Sequence, residues 1–81
     1  MLLSLSTWPE VDDYRATRQS ILIPIGSTEQ HGPNGLLGTD AICPEVIAKA
    51  AAARSEKPLL VGPTFNVGCA QHHLGFAGTI T

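Results

Sequence analysis

The sequence predicts an α/β fold built on parallel strands, and three observations carry that expectation. Residues Ser20 to Gly26 form a continuous apolar run closed by Pro24 and Gly26, the pattern of a strand buried on both faces near its C-terminal end. Residues Lys57 to Pro63 repeat the pattern, with Leu59, Leu60 and Val61 closed by Gly62 and Pro63. Between them lies a stretch with helical spacing of apolar residues. Strand, loop, helix and strand therefore follow one another, a βαβ unit expected to be right-handed with parallel strands.

Taken in order, Thr7-Trp8-Pro9-Glu10 opens a short surface helix: Thr caps, Glu reaches back to the cap, and Pro is tolerated in the first turn. This helix should run to about Arg15 or Thr17. The first strand follows, and from Gly26 to Gly38 the composition turns to Gly, Pro, Asn, Ser and Thr, which is loop chemistry. Thr39 or Asp40 is expected to cap a second helix reaching about Arg54, with Ile42, Val46, Ile47 and Ala50 or Ala51 as its apolar stripe and Pro44 in its first turn. After the second strand, Phe65 to Gly78 again reads as loop and contains the adjacent pair His72-His73.

Composition narrows the function. Apolar residues make up 43% and charged residues 15% of the 81, closer to the buried part of a larger α/β protein than to a free-standing small domain. The net charge is -2 and the 5 basic residues are scattered, so there is no footprint for nucleic acid or an anionic membrane. Cys43 and Cys69 have no CxxC spacing and are expected to be reduced thiols of a cytoplasmic protein, acting as small apolar fillers. The opening Met1 to Leu5 lacks a basic region and is too short for a signal or a span. Trp8 and Tyr14 are isolated and expected to serve packing.

Ligand sites in open α/β sheets form beyond the C-terminal ends of strands, and both polar loops leave such ends. On an extended stretch Glu29 and His31 point to one side and Gln30 to the other. Asp40, at the start of the second helix, can approach the same point, its charge favoured by the helix N-terminus. A Glu, a His and an Asp together suit a divalent ion such as Zn²⁺, Mn²⁺ or Fe²⁺. On spacing alone, a solvated Glu29, a loop-bonded His31 and a capping Asp40 explain the pattern equally well.

The full string favours the metal. Residues Ile23 to Pro33, reading IPIGSTEQHGP, followed by Leu37-Gly38-Thr39-Asp40, closely resemble the signature of the creatininase family. His73-Leu74-Gly75-Phe76-Ala77-Gly78-Thr79 is similar to that family's His, apolar residue, Gly-Phe-Pro-Gly-Thr segment. The resemblance implies a three-layer α/β/α fold with a mainly parallel sheet, of which residues 1–81 would be the N-terminal part, about two strands and two helices. It implies a centre of two divalent ions (Zn, Mn or Fe) and hydrolysis of a cyclic amide or formamide C–N bond, with a peptidase also among the activities the family offers and nothing in the sequence to choose among them. By position, Glu29 is a ligand of one metal, His31 of the other, Asp40 the bridging carboxylate, and His73 the candidate catalytic residue facing substrate. A further His and Glu would come from a later segment.

Two departures stand out: Asn34-Gly35-Leu36 replaces the family's usual His-Leu-Pro, removing one His, and Ala77 replaces a Pro, which loosens the turn before Gly78. The expected partners are a small-molecule substrate and further copies of the chain, a homo-oligomer. The rival expectation is a non-catalytic piece that docks with a second chain supplying the missing ligands.

Overall fold

A computed structural model describes all 81 residues. It contains two helices, α1 (Trp8–Thr17) and α2 (Thr39–Arg54), and two strands, β1 (Ile21–Leu22) and β2 (Leu60–Val61), with short 3-10 turns at Leu3–Leu5 and Gln71–His73. The strands pair in parallel, Ile21 opposite Leu60 and Leu22 opposite Val61, and α2 connects them. The expected α/β architecture is therefore present. On the other edge of β2, Leu2 bridges Val61 in parallel, with the Val61 N–H donating to the Met1 carbonyl at 2.8 Å. No helix is long and apolar enough to cross a membrane.

The local chemistry of α1 is as expected. The Thr7 side chain accepts from the Glu10 N–H while the Glu10 carboxylate accepts from the Thr7 N–H, a complete capping box with Pro9 in the first turn. The helix buries no residue; polar bonds hold it instead. The Tyr14 hydroxyl donates to the Ser20 carbonyl at 2.7 Å and accepts from the Leu60 N–H at 3.1 Å, tying α1 to the starts of both strands. The Arg18 guanidinium donates to the carbonyls of Lys57 and Pro58. Trp8, expected to pack, is 80% exposed.

Pro24 shortens β1, since it has no N–H for the ladder, but pairing resumes beyond it: Phe65 donates to the Pro24 carbonyl and Gly26 to the Phe65 carbonyl. The run is not buried on both faces. Ile21, Ile23 and Ile25 are exposed, whereas Leu60 and Val61 are buried, because α2 covers only one side of a two-stranded ladder.

Helix α2 departs from expectation in three ways. Gly38 occupies the cap position with no side-chain cap bond, so Asp40 lies in the first turn. Pro44 falls beyond that turn, and lacking an N–H it leaves the Asp40 carbonyl without its helical donor. The Gly26 backbone passes against that carbonyl so closely that a Cβ there would lie 1.9 Å from the oxygen. Third, the face toward the sheet is the small one, with Ala41 and Ala52 buried, while the expected stripe of Ile42, Val46 and Ile47 is exposed. Small side chains permit the short approach of helix to strand that Gly26 requires. The two cysteines are free and exposed rather than fillers.

Candidate functional site

The first loop leaves β1 and returns to α2 as a tight fold in which Glu29 donates its N–H to the Leu37 carbonyl. The second loop, from Phe65 onward, doubles back until Ile80 pairs antiparallel with Thr28, the Ile80 N–H donating to the Thr28 carbonyl at 3.0 Å. The Thr28 hydroxyl donates to the Asn66 carbonyl at 2.6 Å. These cross-links carry the Gln71–His73 turn to the Glu29 segment. Ala70, just before the turn, is fully buried and donates its N–H to the Thr81 hydroxyl, which fixes the turn's base.

His31 and Asp40, expected to converge, do so: Nε2 of His31 lies 3.1 Å from Oδ1 of Asp40. The other ring nitrogen, Nδ1, donates to the Glu29 carbonyl at 3.0 Å. Both nitrogens face acceptors, which favours the imidazolium. Its pKa is raised above the ordinary value, chiefly by the Glu29 carbonyl, against some desolvation and with help from the Asp40 charge. Asp40 is, conversely, lowered: desolvation pulls it upward but is outweighed by the His31 charge and by bonds to Ser27, Glu29 and His31. The Ser27 hydroxyl donates to Oδ2 of Asp40 at 3.2 Å, orienting the carboxylate.

Glu29, which also neighbours Asp40, reaches on to the second loop. Its side chain gathers with His72 and His73, one ligand atom from each lying within 4.8 Å of the others. Its Oε2 is buried and has no hydrogen-bond partner, although a buried carboxylate oxygen is costly to leave unpaired. The alternation expected for an extended stretch is not kept. Gln30, expected to point away, reaches the same turn, its Nε2 3.1 Å from Nδ1 of His73, while its Oε1 accepts from the N–H of Gly32, whose φ is +79°. His73 is thus held among Gln30, Glu29 and the edge of the Phe76 ring, whose centroid is 6.2 Å away. His72, which had no match in the family's pattern, belongs to the same cluster; its one sequence signal was adjacency to His73.

These residues fit divalent metal. The donors are carboxylate and imidazole, the set that Zn²⁺, Mn²⁺ or Fe²⁺ accepts. An orphaned Oε2 on Glu29 awaits a cation. His31 has the bond a ligating His usually makes, Nδ1–H to a carbonyl, leaving Nε2 to bind. The 3.1 Å between that Nε2 and Asp40 is about what two ligands at ~2.0–2.2 Å from one ion keep between themselves.

Comparison with known proteins finds similarity along almost the whole chain. The family model Creatininase, described as creatinine amidohydrolase, matches residues 4–81. The mycofactocin precursor peptide peptidase of Mycobacterium ulcerans (strain Agy99) is 40% identical over 83 residues, covering 94% of this chain and 29% of that protein. The protein of that name from Mycobacterium tuberculosis (strain CDC 1551 / Oshkosh) is 38% identical over 74 residues, 82% of this chain and 30% of its own length. That of Mycolicibacterium smegmatis is 35% identical over 65 residues, 75% and 26%. The chain thus spans less than a third of the length of these relatives.

Proposed function

This chain belongs to the creatininase family, and from that membership we propose that it supplies the Glu29, His31 and Asp40 side of a two-metal amidohydrolase centre. The single observation that supports the reading best is the buried Glu29 Oε2, without a hydrogen-bond partner, on a side chain that also neighbours Asp40, itself 3.1 Å from Nε2 of His31. When bound, two divalent ions supply an activated water and polarise the scissile amide carbonyl. The chain's own residues do the rest. Asp40, steadied by the Ser27 hydroxyl, would hold the ions together with His31, whose ring orientation is set by the Glu29 carbonyl, and with the Glu29 carboxylate. His73 stands beside them on the substrate side.

The bond hydrolysed is an amide C–N bond. Relatives named as peptidases of a precursor peptide support a peptide amide as substrate over the cyclic amide or formamide among the activities that the family resemblance implies. The working enzyme is proposed to be a cytoplasmic homo-oligomer.

The test uses the whole enzyme that carries this segment. Glu29→Ala, His31→Ala and Asp40→Ala should each lower metal content and cut kcat by roughly 10²-fold or more, Asp40→Ala most because the family resemblance makes it the bridging carboxylate. A chelator should abolish activity and Zn²⁺ or Mn²⁺ restore it, while Cys43→Ser with Cys69→Ser should leave it intact. Creatinine, a formamide and short peptides, assayed on the reconstituted enzyme, distinguish the substrates. Wild-type metal content in all three variants would sink the ligand assignment.

A further inference from the structure

The Gly32–Gln30–His73 chain of hydrogen bonds decides which form of His73 the site contains. The Gly32 N–H donates to Oε1 of Gln30 at 2.8 Å. That bond fixes the amide's orientation, because only the oxygen can accept. Its other end, Nε2, therefore faces Nδ1 of His73 at 3.1 Å, and an amide nitrogen only donates. Nδ1 must accept, so the hydrogen of the neutral ring is on Nε2. A ring in that state has no free nitrogen with which to bind metal or take a proton.

We propose that Gln30 is a positioning residue that holds His73 as the Nε2–H tautomer, so that His73 serves the site as a hydrogen-bond donor and as neither a metal ligand nor a general base. The proposal rests on the reading of the site as a metal-dependent amidohydrolase. It accounts together for the geometry of Gly32 and of Gln30. Gly32 takes a positive φ, which most side chains avoid, and so aims its N–H at Gln30. Gln30 meets His73 from the same side as Glu29. Of the Glu29, His72, His73 cluster, only His72 then retains an unassigned ring nitrogen for a ligand.

The tautomer can be read directly in the whole enzyme, labelled with 15N-histidine and loaded with diamagnetic Zn²⁺. Wild type should show His73 with a pyridine-type Nδ1 and a pyrrole-type Nε2. Gln30→Glu keeps the size and an acceptor for Gly32 but places a carboxylate against Nδ1, which should convert Nδ1 to the pyrrole type. The variant should lower kcat by about 10²- to 10³-fold with KM and Zn²⁺ content unchanged, the cost of losing one positioned hydrogen-bond donor. Three results would overturn the proposal: a pyrrole-type Nδ1 in wild type, a zinc-shifted Nε2, or full activity in Gln30→Glu. The wild-type spectrum answers even if the variant folds poorly. Insensitivity of wild-type activity to chelator would instead remove the metal-hydrolase reading, and the same spectrum would still report the tautomer.

Discussion

At the scale of single residues, the His31–Asp40 pair makes a testable statement about the metal-free protein. The folded pKa of His31 is raised above its ordinary 6.5. The pair's contribution to stability is therefore complete below 6.5 and fades as pH rises through the raised value. Asp40 is lowered below its ordinary 3.8, so its contribution is present above 3.8 and is lost as pH falls through the folded value. An NMR titration of the metal-free enzyme should place the His31 midpoint above 6.5, and Asp40→Asn should move it down. A wild-type midpoint at or below 6.5 would contradict the ion pair. Glu29, His31, Asp40 and His73 were all legible as candidates because they sit in short polar strings just after apolar runs. Where Gln30 reaches was not, since alternation assumes an extended chain and nothing before the structure said that Gly32 would adopt a positive φ.

At the scale of elements, capping and periodicity located α1, α2 and both strands but not which face of α2 meets the sheet. Hydrophobic patterning favours the large residues Ile42, Val46 and Ile47, whereas the geometry at Gly26 admits only the small ones. Pro24 similarly splits the first ladder, which a continuous apolar run conceals. The close approach gives a sharp contrast between two glycines. An added methyl at Gly26 would meet the Asp40 backbone at 1.9 Å, whereas at Gly62 the nearest atom is the tip of the Ile21 side chain at 3.0 Å. Gly26→Ala should therefore destabilise by about 1–3 kcal/mol or more, and shift Asp40 enough to lower activity, while Gly62→Ala should cost less because Ile21 can rotate. Urea unfolding of both variants checks this; equal losses would mean that α2 is not pinned at Gly26.

At the scale of the whole molecule, the 81 residues form an open shape. The radius of gyration is 15.5 Å, against about 12 Å for a compact domain of this length, and 6 of 81 residues are buried. Leu5, Trp8, Ile25 and Ile47 are each more than two-thirds exposed or close to it. Residues 1–81 prepared alone should therefore bind hydrophobic dyes and associate or unfold gradually; a sharp, concentration-independent melt of a monomer in sedimentation and thermal scans would refute this. The placement of β2 between Leu2 and β1 also sets a timetable for synthesis. Neither neighbour can find its partner until Leu60 and Val61 have left the ribosome. At roughly 5–20 residues per second, the stretch from Ile21 to Ile25 spends about 2–8 s as an unpaired apolar segment outside the tunnel, long enough to be the point at which a nascent-chain chaperone or a self-association event would act on this protein.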